Sequence, residues 1–201
     1  MIMKPATTTV PINDILSSRW SGRAFDVQKK VSREQILSIC EAGRWSPSCY
    51  GDEPWRVIVC DKFTDIPAWK LVFECLAEFN QKWVMNAQVI LIVLSDTEFR
   101  RGGVNRWAQY DTGACAENIC LQSTAIGLMA HQMGGFDSDK LIANFKIPDR
   151  FIPMSIIAIG YRSEEDVLEE TYKILELAPR KRLPLGSTFF EGSWENPIIK
   201  V

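Results

Sequence analysis

The run of residues 89–94 constrains the fold most, because six consecutive apolar residues leave no polar face for solvent. An unbroken apolar segment of this length is typical of a strand that is covered on both faces. Residues 111–128 have apolar side chains around much of a helical circumference, which predicts a centrally buried helix. Together, these two segments predict a sheet that is enclosed by helices.

Other elements follow from capping and periodicity. Ser32 and Gln35 have the spacing of a capping box, which predicts a helix that begins there and ends before Pro47. Periodicity predicts strands over residues 56–60 and 154–160 and helices over residues 66–83, 137–145 and 163–177. From these patterns alone, we expect a three-layer αβα domain with parallel strands.

Size and composition exclude several classes of protein. A length of 201 residues indicates one domain, and a net charge of −2 disfavours a general nucleic-acid binder. No apolar run reaches the ~20 residues of a membrane span, and the N-terminal residues lack a signal-peptide core. Six cysteines without a Cys-x-x-Cys pair, and a single histidine (His131), predict free thiols and no metal site. We therefore expect a cytoplasmic protein without a membrane or nucleic-acid partner.

Two basic motifs lie near the chain ends. Arg19, Ser21 and Arg23 stand within one short segment, and Arg180 precedes Arg182 near the other end. Arginine offers a planar fork of donors that matches phosphate oxygens, and a serine hydroxyl adds another donor. Taken alone, each motif is also explained by a solvated basic turn. A phosphate site built from both requires the two chain ends to meet in space.

Two further segments offer backbone donors at the ends of predicted elements. Residues 45–55 are rich in proline and small polar residues, and they connect a predicted helix to a predicted strand. Their backbone N–H groups and the Ser48 hydroxyl are donors that no helix or strand uses. Residues 131–136 contain Gly134 and Gly135, which let a ligand approach the backbone closely. A plain connecting loop and a glycine-capped turn are the alternatives. The sequence contains no Gly-x-Gly-x-x-Gly fingerprint, which disfavours a dinucleotide-binding fold.

Taken in order, these motifs resemble those of the FMN-dependent nitroreductase family over nearly the whole chain. The family's Arg-x-Ser-x-Arg/Lys-x-Phe segment resembles residues 19–25, and its Pro-Ser-x-x-Asn-x-Gln-Pro-Trp loop resembles residues 47–55. Its asparagine before the second strand is similar to Asn80, and its Gly-Phe turn is similar to residues 135–136. Its C-terminal Lys/Arg-x-Arg-Leu-Pro motif resembles residues 180–184.

The resemblance implies a single domain over residues 1–201 with an α+β sandwich fold. Its central, mainly antiparallel sheet would be flanked by helices, in place of the parallel sheet expected from the patterns alone. A domain-swapped C-terminal extension, about residues 185–201, would embrace the partner of a homodimer. That arrangement would account for the apolar tail residues Phe189, Phe190 and Trp194.

The resemblance also assigns a set of residues to FMN: Arg19, Trp20, Ser21, Arg23, Pro47, Ser48, Cys49, Asn80, Gln132, Met133, Gly134, Gly135, Arg180 and Arg182. The four arginines would hold the phosphate, and Ser21 would help. Residues 47–49 would approach the isoalloxazine ring from the other protomer. Asn80 would bind the ring or the ribityl chain, and the Gly134 N–H would face flavin N5. No side chain is given a catalytic role.

The activity implied is that of an FMN-dependent NAD(P)H oxidoreductase. NADPH or NADH would give a hydride to flavin N5, and a nitroaromatic, quinone or similar electron-poor acceptor would then take the electrons. Two alternatives remain open: a flavin-binding or sensing module with little turnover, and a specialised member that acts on a dedicated metabolite. For the latter, residues 98–107 are the evident lid candidate, although a solvated loop explains them too.

Several positions depart from the family pattern. Gly51 stands in place of asparagine and Glu53 in place of glutamine. Trp83 occupies a position where some members have a lysine that contacts the flavin, so it is expected either to stack on a ligand or to narrow the pocket. Gln132 and Met133 replace a Pro-Ile pair seen in some members.

Overall fold

The computed structural model describes residues 4–199. Its sheet has four strands in the order β1-β2-β4-β3, namely β1 (Trp55–Asp61), β2 (Val89–Asp96), β3 (Met129–Met133) and β4 (Phe151–Gly160). All three neighbouring pairs are antiparallel. The mixed α+β fold with an antiparallel sheet is therefore confirmed, and the parallel arrangement expected from the patterns alone is wrong.

The central strand explains that error. All eight residues of β2 are buried, as the apolar run predicted. An unbroken apolar run reports only that both faces of a strand are covered, and it carries no information about the direction of the neighbouring strands. Such runs are common in parallel sheets because helices cover both of their faces. Here helices cover both faces of an antiparallel sheet.

Seven helices surround the sheet in the described part of the chain: α1 (Asp14–Ser18), α2 (Arg33–Arg44), α3 (Ile66–Phe73), α4 (Glu78–Val84), α5 (Ala108–Ala125), α6 (Ser138–Phe145) and α7 (Glu170–Leu177). The capping box predicted for α2 is present, because Ser32 Oγ accepts from the Gln35 N–H at 3.2 Å and Gln35 Oε1 accepts from the Ser32 N–H at 3.0 Å. At the N-terminus of α6, the Asp137 side chain accepts from the Lys140 N–H at 2.9 Å, without a reciprocal bond.

Two apolar layers form the core, one on each face of the sheet. On one face, α2 and α5 pack through side chains such as Ile36, Ile39, Cys115 and Ile119. On the other face, helices α3, α4 and α6 contribute the buried residues Trp69, Val72, Trp83, Val84 and Leu141. Alternate residues of β2 enter the two layers, as the two-residue period of a strand requires.

Two local predictions differ from the structure, and one element was missed. The helix predicted over residues 66–83 is interrupted between α3 and α4, where the Ala77 N–H donates to the Gly135 carbonyl at 2.9 Å. Strand β3 was not predicted. Ser163 does not cap a long helix; a short 3-10 helix (Glu165–Val167) precedes α7 instead.

The C-terminal segment after α7 carries large apolar side chains on its surface. Phe189, Trp194 and Ile198 are 58%, 80% and 48% exposed. The last two residues of the predicted 185–201 extension lie outside the described residues. No helix within residues 4–199 has the length and apolar character that a membrane span requires.

Candidate functional site

The two chain ends meet beside α5. Arg180 places one terminal nitrogen between two carbonyls, donating to Lys4 O and to Ser17 O at 2.7 Å each. The Lys4 ammonium in turn donates to the Glu176 carbonyl at 2.5 Å. These bonds span more than 160 positions of sequence, so they fix the segment that carries Arg19 against the segment that carries Arg182.

A cavity of about 570 Å³ lies where the ends meet, and we refer to it as the Arg19 cavity. Four cationic side chains line it, and apolar groups of both chain ends form much of the remaining wall. The cations are Arg19, Arg180, Lys181 and Arg182. Arg19 Nε lies 3.5 Å from Glu117 Oε1 of α5, and Arg19 Nη1 lies 3.5 Å from Ser21 Oγ. The size of the cavity falls within the range of small-molecule sites, and its positive charge suits an anionic group.

Arg23 does not line this cavity. Its guanidinium is half-buried and lies 5.9 Å from the centre of the Trp83 ring. Its Nε is buried and has no hydrogen-bond partner among the described residues. Burial lowers the pKa of Arg23, and the nearby Glu176 carboxylate opposes that change. The structure thus brings three of the four predicted phosphate arginines together around one cavity and leaves the fourth, Arg23, outside its lining.

Glu176 of α7 binds the backbone of the N-terminal basic segment at residues 23–24. Its side chain is only 2% exposed and accepts from the Arg23 N–H at 2.8 Å and from the Ala24 N–H at 3.4 Å. Burial raises the pKa of Glu176, while those two N–H donors and the neighbouring cations lower it. A Cβ added to Gly22 would lie 2.9 Å from Glu176 Oε1, so the segment approaches α7 closely.

An aromatic stack lies beneath this segment. The rings of Trp83 and His131 are 4.5 Å apart, and Trp83 also stacks on Phe25. His131 Nδ1 lies 2.9 Å from the Gly22 carbonyl, which can only accept, so we assign the imidazole proton to Nδ1. Trp83 is fully buried, so it is a core residue, and the expectation that it stacks on a ligand or narrows a pocket is wrong.

The Pro47 loop, residues 46–54, is attached to α5 by polar bonds. Asn118 Nδ2 donates to Ser46 Oγ at 2.8 Å, and the Cys49 N–H donates to Asp111 Oδ2 at 2.9 Å. Ser48 Oγ accepts from the Glu53 N–H at 3.0 Å. Pro47, Ser48 and Cys49 do not line the Arg19 cavity of the same chain.

The remaining predicted positions do not line the Arg19 cavity and lie in several places. Asn80 Nδ2 donates to the Gly135 carbonyl at 3.1 Å, and a Cβ at Gly135 would lie 2.9 Å from that amide nitrogen. Gly134 is exposed, with open space where a Cβ would be. Met133 packs in the core, and Gln132 is half-buried on β3. Trp20 is buried between Lys4, at 4.4 Å from the ring centre, and Arg162, at 4.7 Å.

Sequence reasoning did not single out Glu117, Lys181 and Glu176 as site residues. Lys181 stands between two predicted arginines, and that position was a usable signal. Glu117 and Glu176 belong to helices in which acidic residues are ordinary, and their roles depend on contacts with residues about 100 and 150 positions away. Such contacts leave no local pattern.

Comparison with known proteins identifies the family. A family profile described as "Nitroreductase family" matches residues 16–161, and the chain belongs to the nitroreductase family. A solved structure described as "The crystal structure of the oxidoreductase containing FMN" is 32% identical, with a TM-score of 0.88 over 94% of this chain and 96% of the other.

Two relatives are similar at the level of sequence. A protein of Bacillus subtilis strain 168 with the name "Putative NAD(P)H nitroreductase YdgI" is 24% identical over 189 residues, which cover 76% of this chain and 88% of the relative. An uncharacterised 15.4 kDa protein of Mycolicibacterium smegmatis is 32% identical over 110 residues, which cover 55% of this chain and 73% of the relative.

Proposed function

We propose that this protein is an FMN-dependent oxidoreductase that takes a hydride from NADPH or NADH and reduces nitroaromatic, quinone or similar electron-poor acceptors. The observation that carries the proposal is the Arg19 cavity, in which both chain ends supply cations around a space of small-molecule size. Family membership and the FMN-containing oxidoreductase at 32% identity support it.

The residues present fit FMN. The phosphate would be held by Arg19 and Arg182, which both line the cavity. Glu117 neutralises part of that charge, yet four cations face one carboxylate in the cavity lining, so an anionic ligand is still favoured.

When bound, FMN supplies a two-electron carrier between the nicotinamide and the acceptor. The chain's own residues orient it. The Asn80–Gly135 bond fixes a turn whose exposed Gly134 leaves room for a flat ring against the backbone. Basic residues around the cavity stabilise negative charge without donating or accepting protons. Glu176 and Arg180 keep the basic segments in place.

We further propose that the active form is a homodimer in the cytoplasm. The Pro47 loop does not line the Arg19 cavity of its own chain, so a partner's loop is needed to complete a site that includes residues 47–49. The exposed tail side chains Phe189 and Trp194 offer the apolar surface for such a partner. All six cysteines are free, as is usual in a reducing compartment.

A flavin spectrum and stopped-flow reduction test the proposed activity. Purified protein supplied with FMN should show a bound-flavin absorbance band, which NADPH or NADH should bleach rapidly under anaerobic conditions and a quinone should restore. A protein that binds FMN but is not bleached is a flavin-binding module. Absence of a bound-flavin band after addition of FMN contradicts the proposal altogether.

A further inference from the structure

Residues 98–107 form a tight turn that packs on the Pro47 loop. The Phe99 N–H donates to the Gly103 carbonyl at 2.9 Å, and the Gly102 N–H donates to the Phe99 carbonyl at 2.8 Å. Gly102 and Gly103 have φ angles of +90° and +87°, which favour glycine at both positions. The turn therefore has a defined shape and presents Arg100 and Arg101 at its tip.

Arg100 is committed to the Pro47 loop. Its N–H donates to Asp52 Oδ1 at 3.1 Å, and its side chain donates to the Gly51 carbonyl. Its guanidinium also lies 3.8 Å from Asp52 and 3.9 Å from Glu53. Arg100 thus neutralises the acidic groups of the loop, including the glutamate that departs from the family pattern.

Arg101 has a different environment. Its guanidinium lies 4.6 Å from the Tyr50 ring centre and 5.2 Å from that of Phe99, and those two rings contact each other edge to face. Within residues 4–199, Arg101 has neither an ion pair nor a side-chain hydrogen bond. Its aromatic contacts restrict the guanidinium, while its N–H donors remain available. We call Tyr50, Phe99 and Arg101 the Arg101 platform.

The platform stands directly beside a predicted flavin contact. Tyr50 follows Cys49 in the chain, and its φ of +57° is uncommon for a residue other than glycine. The Tyr50 ring is 79% exposed although it is large and partly apolar. An oriented arginine with an exposed aromatic ring suits a planar molecule that carries an oxyanion.

We propose that the Arg101 platform binds an oxyanion group on a substrate of the enzyme, a phosphate or a carboxylate on a molecule that also carries a flat ring. This inference rests on the proposed function, because it places the platform at the mouth of the flavin site. Two sources share this chemistry: the 2′-phosphate of NADPH and the carboxylate of an aromatic acceptor. The platform would set the preference for the charged substrate over its uncharged counterpart.

The test compares Arg101→Ala with Arg106→Ala as a matched control. Arg106 belongs to the same segment and its alanine variant loses the same charge, but its guanidinium lies on Trp107, at 4.7 Å from the ring centre, and not on Tyr50 or Phe99. For each variant we would measure the ratio of kcat/KM for NADPH to that for NADH, and the ratio for 4-nitrobenzoate to that for nitrobenzene. Calorimetric titration with adenosine 2′,5′-bisphosphate against adenosine 5′-monophosphate, and with 4-nitrobenzoate, gives a readout that needs no turnover.

We expect Arg101→Ala to lower one of the two ratios by about tenfold, the typical value of one charge-assisted contact, and to lower the matching affinity in the titration. A fall in the NADPH ratio identifies the nucleotide phosphate, and a fall in the nitrobenzoate ratio identifies the acceptor. Unchanged ratios and affinities, or an equal fall in Arg106→Ala, overturn the proposal. If wild-type flavin is reduced by neither nucleotide, the proposed function fails, and the titrations alone decide whether the platform binds the anion.

Discussion

His131 is the single histidine of the chain, and it lies buried against Trp83 behind the arginine segment. Burial lowers the pKa of His131 from 6.5 to about 4, because the imidazolium loses its hydration; Arg23 and Arg19 add to the effect, and the Gly22 carbonyl opposes it. The unfolded chain should titrate at the ordinary value. The protein must therefore lose stability in acid through this one side chain.

The sign and size of the effect follow from linkage. Between the two pKa values the unfolded state binds more protons than the folded state, so the free energy of unfolding rises with pH. The contribution is fully present above pH 6.5 and is lost as the pH falls to about 4. The difference of 2.5 pH units (6.5 minus 4) corresponds to about 3 kcal/mol, of which about 2 kcal/mol is already lost at roughly pH 5.

Urea unfolding of the wild type and of His131→Asn at about pH 7 and about pH 5 measures this contribution. Asparagine retains an N–H donor near the position of Nδ1 but does not titrate, so it keeps the bond to Gly22 and removes the linkage. The wild type should lose about 2 kcal/mol more than the variant between the two pH values. Proton NMR of the sole imidazole gives its pKa directly. Equal losses in the two proteins, or an NMR pKa near 6.5, would show that burial of His131 does not make stability depend on pH.

Two other predictions concern packing and thiol reactivity. Gly22→Ala should lower the free energy of unfolding by about 1–3 kcal/mol, because its Cβ would lie 2.3 Å from Met129 Sδ. Gly113→Ala, on α5 with nothing within 4 Å of its Cβ, should raise the free energy of unfolding by about 0.5–1 kcal/mol. Equal melting temperatures in the two variants would contradict the close approach of Gly22 to Met129. In the folded protein, iodoacetamide should alkylate Cys49, a half-buried loop residue, before Cys60, Cys115 and Cys120. Burial raises the pKa of each of those three thiols to about 12, so few of them are thiolates. Peptide mass spectrometry gives the order of alkylation, and the reverse order would contradict this prediction.

The sequence predicted elements whose signal is local. The apolar run 89–94 identified the central strand, and Ser32 with Gln35 identified the start of α2. Strand β3 was not predicted, because it has only five residues and includes His131 and Gln132, which belong to no alternating apolar pattern. The interruption between α3 and α4 depends on the Gly135 turn, which is about 60 residues away in sequence.

In the candidate site, too, the local motifs were predictable from the sequence and the long-range contacts were not. Its arginines were visible as motifs, and their order along the chain supported the family assignment. The direction of each side chain was not visible: Arg23 lies over Trp83, whereas Arg19 and Arg182 line the cavity. Glu176 has no sequence signal, because its role consists of accepting backbone donors from a segment about 150 positions away. Tertiary contacts decide these features, and one sequence does not encode them in any local pattern.

In the proposed function, the two chain ends build a phosphate site for FMN. That site is tested by the ratio of the dissociation constants of riboflavin and FMN, which differ only by the phosphate, measured by flavin fluorescence titration. The wild type should bind FMN at least about 100-fold more tightly, and Arg19→Ala combined with Arg182→Ala should reduce that ratio to within about tenfold of unity. Lys70→Ala, an exposed charge on α3, should leave the ratio unchanged. A double variant that retains the wild-type ratio would show that Arg19 and Arg182 do not bind the FMN phosphate.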